Sequence, residues 1–175
     1  MLELFDGNNF DSVYDIMQKS FPSSEIRSKR GQKALLKDKR YAIYCYKKEG
    51  ALFGVLCAWE ISVGCFLEHF AVLPKFRGRG IGADMLQEFI NKRKSQGGFI
   101  FLEAEPITDE LTARRIAFYE RNGFFVNDYK YCQPAFSPSL PAVPLKIMTY
   151  GRAISEQEFN SIKRSVYVEV YNQPE

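Results

Sequence analysis

Between the apolar run Gly64 to Val72 and an amphipathic pattern that places Ile81, Met85, Phe89 and Ile90 on one helical face lies Lys75-Phe76-Arg77-Gly78-Arg79-Gly80-Ile81-Gly82-Ala83. Beyond the helix a second apolar run, Phe99 to Glu103, has strand character. A strand, a helix and another strand of these lengths form a crossover that returns the chain to the same side. The runs ending at Val72 and Glu103 are therefore expected to lie parallel in one sheet. This excludes all-helical folds and pure hairpin sheets.

The flanking segments fill out that sheet. Leu2 to Phe5 reads as a short strand, and Phe10 to Ser20 as a helix with Phe10, Val13, Tyr14 and Met17 at helical spacing; a weaker helix is expected over Glu25 to Asp38. Tyr41 to Tyr46 and Ala51 to Ile61 are joined by Lys47-Lys48-Glu49-Gly50, a hairpin with a glycine-containing loop, and Gly64 to Val72 follows as their antiparallel neighbour. Asp109 to Asn122 is a helix ended by Gly123, Phe124 to Cys132 and Leu145 to Tyr150 are strands, and Ser155-Glu156-Gln157-Glu158 is a capping box opening a last helix. The β-branched end, Ser165 to Val170, is read either as the continuation of that helix or as a strand. No repeat or linker divides the chain, so residues 1–175 are expected to form one α+β domain around a mixed sheet.

The 175 residues suffice for a substantial core without metals or disulfides. A net charge of +3 is too small to imply a nucleic-acid partner by itself. Cys45, Cys57, Cys65 and Cys132 form no C-x-x-C pair, and three of them sit in apolar runs, as thiols do in a reducing cytoplasm. The N-terminus lacks a basic region followed by an apolar one, and no apolar run approaches about 18 residues. The expectation is a cytoplasmic protein with no membrane partner and no bound metal.

Glycines ahead of a helix let the backbone approach a ligand without Cβ clashes, while the helix's first N–H groups remain free to donate. Phosphate oxygens suit that arrangement, with Arg77 and Arg79 adding charge, and the expected ligand is a pyrophosphate. Gly78-Arg79-Gly80-Ile81-Gly82-Ala83 also satisfies the dinucleotide pattern, with Glu103 about 20 residues on. Against a nicotinamide oxidoreductase, Leu73 to Arg77 separates the strand from the first glycine, whereas a dinucleotide loop turns directly out of its strand. A P-loop is excluded by the missing Gly-Lys-Ser/Thr.

Glu68-His69-Phe70-Ala71-Val72-Leu73-Pro74, followed by Arg77-Gly78-Arg79-Gly80-Ile81-Gly82, resembles the GNAT superfamily of acyl-CoA N-acyltransferases, whose signature is an AV-x-P strand end followed by [Q/R]-x-x-G-x-[G/A]. Ala117-Phe118-Tyr119-Glu120-Arg121-Asn122-Gly123-Phe124 is similar to that family's A-L-Y-E-x-x-G-F segment. The matches span Gly64 to about Tyr131. The resemblance implies a mixed, mostly antiparallel sheet of about seven strands with splayed parallel central strands, flanking helices and a C-terminal helix. It also implies acetyl-CoA as cosubstrate, with its pyrophosphate on the amides of Arg77 to Ala83 (Arg77, Gly78, Arg79, Gly80, Ile81, Gly82, Ala83) and its pantetheine running like an extra strand beside Phe70, Ala71 and Val72. Thr112 stands where the family often has an asparagine that assists the cofactor. The implied activity is transfer of an acetyl group to the amine of a small molecule or peptide, with a homodimer left open. A CoA-sensing protein without turnover is the alternative.

Acyl transfer to an alkylamine of pKa near 10 needs a base, since the ammonium has no lone pair. By period two Glu68 shares a face with Phe66, Phe70 and Val72, surroundings that would raise its carboxyl, and His69 points to the other face. Glu68 is the first candidate base, in the role the family gives this strand; Glu103 and Glu105 are its rivals. Tyr119 is the candidate acid for the leaving thiolate, matching the family's tyrosine. Arg114 and Arg115 are read as surface pairs or anchors, and the Arg27 to Arg40 stretch, with seven basic residues and one acid, as a solvated face. Gln133 to Pro144, with two P-x-x-P matches, is read as a stiff wall of the acceptor pocket. The cysteines sit on core-like strands, so direct attack in a ternary complex is expected.

Overall fold

The computed structural model describes residues 1–94, 99–137 and 139–173; Pro138, in the proline-rich loop, lies outside the described residues. The strands are β1 (Leu2–Leu4), β2 (Tyr41–Lys48), β3 (Ala51–Ile61), β4 (Gly64–Val72), β5 (Ile100–Ala104), β6 (Phe124–Gln133) and β7 (Val143–Tyr150). The helices are α1 (Phe10–Ser20), α2 (Lys29–Ala34), α3 (Ile81–Lys94), α4 (Glu110–Arg121) and α5 (Glu156–Ser165). Among the described residues one seven-stranded sheet runs in the order β1-β2-β3-β4-β5-β7-β6. Every neighbour pair is antiparallel except β4 and β5, the pair joined by the crossover.

The apolar spacing decides which helix covers which face. Phe10, Val13, Tyr14 and Met17 of α1 and Phe159 and Ile162 of α5 bury against one side of the sheet. Met85, Leu86, Phe89 and Ile90 of α3 and Ile116 of α4 bury against the other. The four α3 side chains are 0% exposed, and each stabilises the packing by about 1.5–3 kcal/mol. At Gly54 a Cβ would stand 2.5 Å from the Ala71 carbonyl and 2.8 Å from Met85 Sδ. Glycine there lets α3 close on the sheet beside the end of β4.

Local chemistry sets the helix ends. Ser155 accepts from the Glu158 amide and Glu158 reaches back to the Ser155 amide at 2.8 Å, the capping box legible in the sequence. The helix expected over Glu25 to Asp38 is shorter: Ser28 caps it, accepting from the Gly31 amide at 3.2 Å, and a 3₁₀ turn, Leu35–Lys37, follows Ala34. The segment from Ser165 to Val170 is not a strand. Val166–Val170 extends α5 as a π turn, in which the Tyr171 amide donates to Val166 O at 3.2 Å. Val166 and Val170 thereby join the core cluster of Phe159 and Ile162, and this burial overrides their β propensity. No helix among the described residues is long and apolar enough to cross a membrane.

Candidate active site

β4 and β5 pair only where Cys65–Leu67 meet Ile100–Leu102, and then they part. The cause lies on the other edge of β4. Across from β3, Cys57 faces His69 and Ala58 faces Leu67, so Glu68 is the extra residue of a bulge. A bulge bends its strand and resets the alternation of side chains. Glu68 and His69 consequently share a side, with His69 Nδ1 3.3 Å from Glu68 Oε2, while Phe70 and Val72 turn to the α3 side. The alternation expected from period two therefore fails at this one position.

Beyond the bulge, the free edge of β4 and the end of β5 bound a cavity of about 870 Å³, within the size range of ligand sites. At one end its wall carries Phe70, Ala71, Val72, Arg77, Gly78, Gly80, Gly82 and Ala83. Arg79, Ile81 and Thr112 are not on that wall. Thr112 is instead tied into the start of α4: its hydroxyl takes the amides of Thr108 and Asp109, both at 3.0 Å, and its own amide donates to Asp109.

The glycine turn fits a phosphate ligand. Gly78 and Gly80 have φ of +73° and +78°, and a Cβ on either would meet nothing within 4 Å, so their bare backbone fronts open space. The Asp84 amide donates to Gly80 O at 3.1 Å. Among the described residues no backbone carbonyl takes the Ile81, Gly82 or Ala83 amides, which are the open donors of a 14-residue helix. Arg77 Nε donates to Val72 O at 2.9 Å, which fixes that guanidinium beside the turn.

At the other end stand Phe21, Glu25, Glu68, His69, Glu103, Glu105 and Tyr171. The Glu68 side chain is 2% exposed and receives Arg27 Nη1 at 2.6 Å and Trp59 Nε1 at 3.1 Å. Burial alone would raise its carboxyl, but Arg27 and then His69 outweigh burial and hold it down at about 2. The raised carboxyl expected from aromatic neighbours is therefore not what Glu68 has. His69 is raised to about 10; burial opposes its charge, and Glu68 beside it prevails. Its Nε2 lies 2.9 Å from Glu25 O.

Glu103 behaves in the opposite way. Burial pushes its carboxyl up, hydrogen bonds from Tyr131 and Tyr171 pull it partly back, and the balance is about 7. Tyr171 Oη donates to Glu103 Oε2 at 2.8 Å, and Tyr131 Oη donates to Oε1. Glu105, the other rival, is ion-paired with Arg115, and Arg114 pairs with Glu110 on the surface. Tyr119 sits half-buried between the α4 side and the groove, edge-on to Phe118 and Phe124. Burial holds its phenol up at about 12, so the hydroxyl stays protonated at neutral pH.

Cys57 is opposite His69 in the ladder, but it is fully buried and off the groove wall. Arg27 and Tyr171 are among the site residues that the sequence does not flag. Arg27 lay in a stretch read as solvated, and Tyr171 follows a run left between helix and strand. Neither position carries a motif.

The fold agrees with what is found among known proteins. The pattern of the Acetyltransferase (GNAT) family matches residues 10–124, more than half of the chain. The chain belongs to the GNAT acetyltransferase family. YjbC of Bacillus subtilis strain 168, named provisionally as an acetyltransferase, is 34% identical over 113 residues, which make up 63% of this chain and 55% of that protein. The chain thus spans little more than half the length of that relative. A GNAT-family structure from Bacteroides thetaiotaomicron, also named provisionally, has a TM-score of 0.90 at 23% identity and covers 99% of each chain. A Bacillus subtilis acetyltransferase solved in complex with CoA has a TM-score of 0.63 at 18% identity over 85% of this chain and 96% of that one. At such identities the two structures bear on the fold alone.

Proposed function

We propose that the protein transfers an acetyl group from acetyl-CoA to the amine of a small molecule or peptide by direct attack in a ternary complex. The observation that carries this reading is the single groove joining two unlike ends, an open cluster of backbone amides at the glycine turn and a buried carboxyl poised near neutrality at Glu103. Acetyl-CoA supplies the activated acyl carbon. The Gly82 and Ala83 amides and Arg77 hold its pyrophosphate, and the free β4 edge from Glu68 to Val72 offers backbone groups along its pantetheine arm.

Glu103 takes the proton that the ammonium of the acceptor must lose. A base working near pH 7 combines a useful population of carboxylate with enough basicity to accept that proton, and a carboxylate held near 2 does not. Glu68 is accordingly given another task, which is to hold Arg27 and His69 under the groove floor. Tyr119 gives its proton to the departing sulfur. Buried Cys45 is pushed up to about 11, and Cys65 is also raised, so neither is a ready thiolate nucleophile.

The test has two readings. CoA is first added to the protein and melting is followed; a ligand bound only to the folded state stabilises it by about 2.7 kcal/mol at a hundredfold excess over its Kd. Then acetyl-CoA and a panel of amines are added and free thiol is measured. No melting shift at millimolar CoA removes the cosubstrate assignment. A shift without thiol release from any amine turns the protein into a CoA sensor.

A further inference from the structure

The C-terminal π turn brings Val170 against Arg27 and Tyr171 onto the wall of the groove. Val170 O accepts from Arg27 Nη2 at 3.3 Å, and Tyr171 donates to Glu103. An α-helix would close each turn four residues on, whereas this one closes over five, from Val166 O to the Tyr171 amide. The extra residue rotates everything after it by about 100°, the angle of one helical step. After Tyr171 the chain turns away through Asn172 at a φ of 52°, and the Gln173 amide returns to Tyr167 O at 2.9 Å. The turn is thus pinned on both sides of Tyr171.

We propose that Tyr171 is a positioning residue, which the π turn places so that its hydroxyl fixes one oxygen of Glu103 in the groove while Tyr131 fixes the other. This rests on the reading of Glu103 as the base. Tyr131 is supplied by β6 and lies off the groove wall, whereas Tyr171 follows the π turn and is on it, so the two phenols hold the carboxyl from two separate elements. A carboxyl held at both oxygens cannot swing out of the line along which an acceptor amine must approach.

The charged and titratable groups around Glu103 are few. Glu68 and His69 face it from β4, and Tyr131 faces it from β6. Tyr167 and Tyr171 approach from the C-terminal turn, and Glu105 and Arg115 share the groove as a pair. Arg27 offsets the charge of Glu68. Of these groups, the two phenols at Oε1 and Oε2 are the ones that stabilise the Glu103 carboxylate by donating to it. Removing one donor should make the carboxyl a weaker acid, by about one pH unit for a hydrogen bond to a charged group.

Tyr171→Phe keeps the ring against Phe136, whose centroid is 5.4 Å away, and removes only the hydroxyl. The Glu103 carboxyl is to be titrated by carbon NMR in the wild type, in Tyr171→Phe and in Tyr167→Phe, whose hydroxyl goes to Cys132 O instead. A rise of about one unit in Tyr171→Phe and none in Tyr167→Phe is expected. An unchanged Glu103 titration in a folded Tyr171→Phe protein overturns the proposal. The acid limb of kcat/KM is then compared. If it moves with the NMR value, Glu103 acts as the base and Tyr171 positions it. If the NMR value moves and the limb does not, the positioning stands and the base assignment fails.

Discussion

Arg27 Nη1 lies 2.6 Å from Glu68 Oε1, and the two side chains are 12% and 2% exposed. Around that guanidinium, Phe136 stands 4.4 Å from its centre and Trp59 5.9 Å. The pair ties the loop after α1 to the bulge that opens the sheet, so the shape of the groove and the stability of the fold depend on the same contact.

Breaking this pair should be costly. Arg27→Ala leaves a buried carboxylate without its partner, a change that typically costs about 3–5 kcal/mol. The pH dependence has a definite sign. Glu68 lies near 2 in the folded protein against an ordinary 4.5, so its contribution is complete above pH 4.5 and is lost as pH falls towards 2. His69, at about 10 against 6.5, contributes fully below pH 6.5 and loses that contribution as pH rises towards 10. Glu103, raised to about 7, favours the folded state below 4.5 and loses that effect by 7, so the Glu68 limb is to be read below pH 4.5. Denaturant unfolding across pH should show Glu68→Gln with a flattened acid limb and a smaller alkaline one. A variant whose profile parallels the wild type at both ends would count against the coupling.

The glycine turn can be tested without disturbing the core. Gly80→Val places a β-branched side chain at a φ of +78° and fills the space in front of the free amides. The backbone strain should cost about 1–3 kcal/mol, small enough to leave a folded protein, while the CoA-induced melting shift disappears. Calorimetric titration with CoA provides the check. Wild-type affinity in a folded Gly80→Val protein would put the pyrophosphate elsewhere.

How much of this was legible in the sequence depended on whether a local signal existed. The crossover, the start of α5 at Ser155 and the open glycine turn follow from short-range patterns of apolar spacing, capping and punctuation. The bulge at Glu68 has no such signal, because it is decided by how β4 pairs with β3, and one unpaired residue reversed the side assigned to His69 and Phe70. Thr112 was expected at the cofactor, yet an Asp-x-x-Thr start to α4 uses its hydroxyl as a cap. Tyr171 depends on a π turn stabilised by burial of Val166 and Val170, which is a tertiary effect.

Tyr119→Phe tests the proposed acid. Its hydroxyl makes no hydrogen bond to protein among the described residues, and its ring packs edge-on to Phe118 and Phe124, so the substitution keeps the packing and removes one proton donor. Turnover should fall by about 10²- to 10⁴-fold while CoA affinity changes little. Steady-state kinetics beside calorimetry would decide, and a loss of affinity equal to the loss of kcat would make Tyr119 a binding residue instead.

The two carboxylates make opposite predictions for the rate against pH. If Glu103 is the base, kcat/KM in the wild type should decline as pH falls through about 7, where the carboxyl takes its proton. Glu103→Gln should lose about 10²- to 10⁴-fold at neutral pH and recover in part near pH 10, where an alkylamine has already lost its proton. Glu68→Gln has no titration in that window to lose. Its effect should come through a weakened Arg27 anchor, as a lower melting temperature and a lower rate that keeps an acid limb, because Glu103 still titrates. The assignment reverses if Glu68→Gln loses the neutral-pH activity selectively while Glu103→Gln keeps the wild-type profile.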